Sequence, residues 1–233
     1  MGSPVCVGLM LMLLVSSRGS SGVCPRQCAC SVSAEVHCTF RALATVPAGI
    51  FKQVLRINFG FNAINHITDV SFGGLRKLEL LMMHGNNVQK ISDGAFQDLV
   101  SLQVLKMSYN KLRVITGHTF SGLTGLIRLH LDHNRIEFIH PDAFSGMTSL
   151  RLLHLEANFL QKLHHATFST FSLLQRFPVS SLKHLYLSDN LLRSLPPNLL
   201  ENMPQLENLF LCGNPWSCDC RMSWLQDWSA RNA

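Results

Sequence analysis

Leu102-Gln-Val-Leu-Lys-Met-Ser-Tyr-Asn-Lys-Leu112 places apolar residues at Leu102, Leu105, Met107 and Leu112 around Asn110. The same arrangement, LxxLxLxxNxL, begins again at Val54, Leu78, Leu126, Leu150, Leu182 and Leu206. Asn62, Asn86, Asn110, Asn134 and Asn158 recur every 24 residues, Asn190 follows after 32, and Asn214 after a further 24. The alternation around Leu105 and Met107 predicts a short strand with one buried side. One such rung cannot bury that side alone, so rungs must stack. The asparagine falls where the chain leaves the strand, and its amide can satisfy backbone groups that no strand ladder reaches. Phe72, Phe96, Phe120, Phe144 and Phe168 share the period and predict an aromatic spine beneath the opposite, convex side, with Leu200 taking that place in the sixth rung. These residues are read as core packing.

The seven copies identify the chain as similar to the leucine-rich-repeat proteins. The resemblance implies an α/β-type solenoid of about seven rungs, a right-handed coil of short parallel strands lining a concave face, with irregular convex turns. Eight extra residues, about Ser172 to Val179, fall between the fifth and sixth rungs. Leu174, Phe177 and Val179 weakly imitate a further rung, while Pro178 argues against an interior strand, so the segment reads as an aborted rung or a loop.

The remaining composition bounds the class. Across 233 residues the apolar fraction is 47%, the charged fraction 15% and the net charge +6. That balance excludes a disordered tail and falls short of the basic density of a nucleic-acid binder. Val5 to Val15 is an apolar run of signal-peptide length, too short to span a bilayer, followed by small residues that fit cleavage after Gly22. Eight cysteines bracket a cysteine-free body from residue 39 to 211 and point to an oxidising compartment. Cleavage would remove Cys6 with the leader. The expected organisation is a signal peptide at 1–22, a cysteine cap at 23–53, repeats at 54–205, and a last rung with a truncated cap at 206–233.

Cys24, Cys28, Cys30 and Cys38 resemble the N-terminal cap of extracellular leucine-rich-repeat proteins, and the resemblance implies Cys24–Cys30 and Cys28–Cys38. Spacing alone leaves three connectivities open. A zinc reading of these cysteines is set aside for a secreted chain. Asn214-Pro-Trp-Ser-Cys-Asp-Cys220 and Trp224-Leu-Gln-Asp-Trp228 resemble the matching C-terminal cap, which ordinarily has four cysteines. Cys212, Cys218 and Cys220 are therefore expected to be unpaired here, with missing sequence as the favoured explanation. Cys212 follows Leu211 and should point outward. Glu35-Val-His-Cys-Thr-Phe-Arg41, Leu78-Glu-Leu-Leu-Met-Met-His84, the 105–112 segment and Arg135-Ile-Glu-Phe-Ile-His140 resemble the family of adlican and immunoglobulin superfamily member ten. In that family such repeats form the N-terminal part of a long secreted matrix protein, followed by immunoglobulin domains.

Two candidate surfaces emerge. On the concave face, the middle outward column reads Asn58, Met82, Lys106, His130, His154, Tyr186 and Phe210, and the next reads Gly60, His84, Ser108, Asp132, Glu156, Ser188 and Cys212. Neighbouring columns add Arg128, His133 and His184. The candidate binding face is Lys106, Arg128, His130, Asp132, His154, Glu156, His184 and Tyr186. It reads first as an ordinary polar ligand-binding face, next as a pH-sensitive one, and last as a metal site of His130, His154, Asp132 and Glu156. A flat sheet tends to splay such ligands, so no metal and no cofactor are assigned. Lys111, Arg113, Arg135, Lys162 and Arg193 follow the asparagines and form a candidate basic edge, suited to a sulfated glycosaminoglycan. The sequence holds no Asn-x-Ser/Thr acceptor.

No nucleophile stands beside a general base, and a smooth strand face offers no oxyanion pocket. The expectation is a secreted, non-catalytic matrix or cell-adhesion module that binds an extracellular protein through its concave face, with no membrane span and no nucleic-acid partner. The rival is a pericellular signalling or guidance-type ectodomain.

Overall fold

A computed structural model of the chain describes residues 24–169, 181–197, 199–217, 223–225 and 228. The expected leader at 1–22, the extra residues near 172–179, and Cys218 and Cys220 lie outside them. Among the described residues seven rungs are present. Their strands are β3 (Arg56–Asn58), β5 (Leu80–Met82), β7 (Val104–Lys106), β9 (Arg128–His130), β11 (Leu152–His154), β12 (His184–Tyr186) and β13 (Asn208–Phe210), all parallel and hydrogen-bonded in that order. The register follows the repeat: Lys106 lies opposite His130, His130 opposite His154, and His154 opposite Tyr186. The sheet keeps this register across the longer repeat, with Leu152 paired to His184.

The N-terminal cap extends the sheet. Strand β1 (Ala29–Cys30) runs antiparallel to β2 (Glu35–His37), and β2 lies parallel to β3. Cys24–Cys30 and Cys28–Cys38 are the disulfides, as the resemblance implied. Val36 and Cys38 are fully buried, so the cap closes the apolar end of the first rung. Arg56 and His37 hydrogen-bond Glu35 and hold its carboxyl below the usual range.

The asparagines lock rung to rung. Asn134 Oδ1 accepts from the Leu112 amide at 3.1 Å, while Nδ2 donates to Met107 O of the preceding rung at 2.9 Å and to Leu131 O of its own at 3.0 Å. Asn86, Asn110, Asn158, Asn190 and Asn214 repeat this set. The residue before each asparagine is left-handed: Phe61, Tyr109, His133, Ala157 and Asp189 have φ between 51° and 57°, and Gly85 and Gly213 serve where the neighbouring side chain lies over the backbone. That residue turns the chain out of the strand at a cost of about 1 kcal/mol or more for a non-glycine.

The phenylalanine spine forms as expected. Phe72, Phe96, Phe120, Phe144 and Phe168 are buried, with successive rings stacked 6.0 to 6.3 Å apart. The convex side is less irregular than the repeat implied. Strand β4 (His66–Ile67) pairs with β6 (Lys90–Ile91), and β8 (Val114–Ile115) with β10 (Phe138–Ile139). The cause is a further apolar column, Ile67, Ile91, Ile115, Ile139, Leu163 and Leu195, which turns inward and draws neighbouring coils together.

Asn134→Leu keeps the volume but orphans the Leu112 amide and leaves Met107 O and Leu131 O with a single asparagine donor each, Asn110 and Asn158. At about 1–3 kcal/mol for the unsatisfied buried amide and about 0.5–1.5 kcal/mol for each of the two lost hydrogen bonds, it lowers stability by roughly 2–6 kcal/mol in urea denaturation, whereas Asn87→Leu, beside a repeat asparagine but outside the motif, changes little. Phe120→Ala leaves a gap in the spine and costs about 3–5 kcal/mol by the same measurement.

Candidate functional site

Parallel pairing at a fixed register stacks like positions across the concave face. His130 and His154 lie 5.1 Å apart between ring centres, His154 and Tyr186 3.8 Å, and Tyr186 and Phe210 4.4 Å with nearly parallel planes. The result is a continuous ledge of four rings across β9, β11, β12 and β13. Phe210 is 40% exposed, so the end of the ledge presents an aromatic face to solvent.

Asp132 lies two residues beyond His130 on the same side. Ser108 Oγ donates to its Oδ1 at 2.7 Å, His133 Nδ1 meets its Oδ2 at 3.1 Å, and His154 Nδ1 stands 3.8 Å from Oδ1. Burial raises the carboxyl pKa, but His154, Ser108 and His133 outweigh it, and Asp132 is held well below the ordinary range. The opposite holds for His130. Burial, with the neighbouring His154 acting in the same direction, pushes its imidazole down to about 4, while Asp132 acts the other way. At neutral pH the face therefore carries an ionised Asp132 beside a neutral His130. Donor atoms of His130, Asp132 and His154 lie within 4.8 Å of one another. Glu156 occupies the column of Asp132 in the next rung and does not join that group.

Below the ledge is a shallow basic groove. Lys106, Arg128, His130, Arg151, Lys183 and His184 line it. Lys183 is paired with Glu207, and His184 Nδ1 with Asn208 Nδ2 at 2.9 Å. Among the described residues Lys106, Arg128 and Arg151 form no ion pair. The sequence reading named Lys106, Arg128 and His184 but missed Arg151 and Lys183. Both follow the first leucine of a rung, and comparing that column rung by rung would have found them.

A second exposed group was also missed. Phe40 and Phe61 stack at 4.8 Å with almost parallel planes, and the edge of Phe61 meets His84 at 4.9 Å. Tyr109 and His133 stack in the same manner at 4.2 Å. All but His84 are left-handed exit residues, which project at the rim of the face. For Phe61, Tyr109 and His133 the signal was available in the position before each asparagine; Phe40 precedes Arg41 and carries no such mark.

On the candidate basic edge, Arg135, Lys162 and Arg193 are exposed and Lys111 is half-buried. Arg113 is engaged by Glu137, one repeat later in the same column, at 2.7 Å. Cys212 is exposed and free.

Leucine rich repeat family models match residues 76–136, 109–160 and 124–181, and another matches 181–203. The chain is 70% identical over 226 residues to matrix-remodeling-associated protein 5 of Homo sapiens, covering 97% of this chain and 8% of that protein. It is 66% identical over 230 residues to immunoglobulin superfamily member 10 of Rattus norvegicus, covering 99% and 9%. The human form of the latter is 65% identical over 222 residues, covering 95% and 8%. The chain thus spans less than a tenth of the length of these relatives. Among the described residues no helix is long and apolar enough to cross a membrane.

Because Cys212 is exposed and unpaired while Cys24, Cys28, Cys30 and Cys38 are bonded, iodoacetamide added to the native, unreduced protein should label Cys212 and leave the cap unlabelled. Peptide mass mapping reads the result, and labelling of the cap cysteines would contradict the assigned pairs.

Proposed function

We propose, for a chain that belongs to the leucine-rich-repeat proteins of the family of matrix-remodeling-associated protein 5 and immunoglobulin superfamily member 10, the role of a secreted, non-catalytic module that binds an extracellular protein across its concave face. The observation that carries this reading is the juxtaposition of the ring ledge with a groove in which Lys106, Arg128 and Arg151 form no ion pair among the described residues. Rigid aromatic anchors beside desolvated polar groups are the usual centre of a protein-binding surface. Lys106, Arg128 and Arg151 call for an acidic partner and would speed its approach. The name of the first relative supports a role in the extracellular matrix. Ser108 here acts as the hydrogen-bond donor of Asp132, which supports a binding rather than a hydrolytic face.

The basic edge is the proposed contact for a sulfated glycosaminoglycan, and the ion pair with Glu137 removes Arg113 from it. Charge neutralisation across several cations makes such binding salt-sensitive.

The test is binding of the labelled protein to cell-free extracellular matrix. Tyr186→Ala and the pair Arg128→Glu, Arg151→Glu should each weaken it by about tenfold or more, and exposed substitutions on the convex side, such as Gln97→Glu, should leave it unchanged. Equal loss on both sides, or no loss on the concave side, would refute the assignment. On immobilised heparin, Arg135→Ala and Lys162→Ala should elute at lower salt than the parent protein, and Arg113→Ala should shift least.

A further inference from the structure

We propose that His130, Asp132 and His154 bind a divalent transition-metal ion of the zinc class on the concave face. The backbone supplies the geometry. His130 and His154 are register partners on adjacent parallel strands, and Asp132 follows His130 on the same side. Their donor atoms already lie within 4.8 Å of one another. Metal–ligand bonds of about 2.0–2.2 Å place tetrahedral donors roughly 3.3–3.6 Å apart, so side-chain rotations on the order of an ångström complete the set. Two imidazoles and one carboxylate are the donors that zinc-type ions favour, and three protein ligands leave a coordination position for water or for a group of another molecule.

The surroundings fit this assignment. Ser108 and His133 hydrogen-bond the Asp132 carboxylate and fix its orientation, the part that outer residues play around metal ligands. Lys106 and Arg128 lie beside His130 and oppose a cation, so binding weaker than that of an enclosed structural site is expected. The site stands on this geometry alone and does not require the same face to bind a protein.

The test uses the full secreted chain with Cys212, Cys218 and Cys220 replaced by serine, to remove competing thiols. Titration with zinc chloride in a calorimeter should show one equivalent bound, and cobalt(II) should give the intense visible bands of a tetrahedral site. Asp132→Asn, which preserves size and the Ser108 contact, and His154→Ala should each weaken binding by more than tenfold. Ser108→Ala should weaken it by about tenfold or less, and His118→Ala, on the convex side, should not. Far-UV circular dichroism establishes that each variant is folded. No saturable binding by the folded parent, or binding that survives Asp132→Asn and His154→Ala, would overturn the proposal and leave an imidazole–carboxylate contact only.

Discussion

The side-chain amide of the repeat asparagine holds two coils together with groups that no strand can supply. Each amide donates to the strand of its own rung and to that of the rung before, and accepts from the amide that opens the preceding convex turn. Because the strands are only three residues long, most of each coil lies outside a conventional ladder. Buried backbone groups there would otherwise lack partners, at about 1–3 kcal/mol apiece. The left-handed residue before the asparagine belongs to the same constraint, because it brings the amide into the core as the chain leaves the sheet. Leucine packing stabilises the coil, and the amides dictate that one rung follows another in register.

That register makes the concave face a set of columns. A side chain can be placed opposite another by choosing residues one repeat apart, and the face uses this to bring rings and charges together. Tyr186 on Phe210 and His154 on Tyr186 are contacts between side chains far apart in the chain yet adjacent in space. The same logic places Glu137 against Arg113 and Glu207 against Lys183. In the concave groove, among the described residues, Lys106, Arg128 and Arg151 have no such partner, so positive charge collects there. Asp132 is their counterweight, ionised and surrounded by histidines.

The leucine, asparagine and phenylalanine columns were legible because burial demands the same residue type at the same spacing every time. The cap pairing was legible only through resemblance, since spacing allowed three connectivities. The column from Ile67 to Leu195 is equally regular, four isoleucines at 24-residue spacing followed by two leucines, but it lies outside the LxxLxLxxNxL motif and was overlooked, and with it the paired convex strands. At the candidate site, column membership was readable but side-chain direction was not. Asp132 and Glu156 looked equivalent in the repeat. Only the rotamers place Asp132 between Ser108, His133 and His154 and leave Glu156 aside. Likewise the basic edge is uniform as a set of positive residues, and Arg113 differs from the rest because Glu137 occupies its column one repeat later.

The spacing of the phenylalanine rings separates two properties that most proteins must compromise between. Neighbouring strands sit about 4.8 Å apart, while the rings beneath the convex side repeat at 6.0 to 6.3 Å. The excess makes each coil a wedge, and a stack of wedges bends into an arc. The arc is thus written in residues that never meet solvent, whereas the proposed binding face is written in residues that contribute little to the bend. Descendants of such a protein can exchange the lettering of the inner surface freely while inheriting its curvature intact.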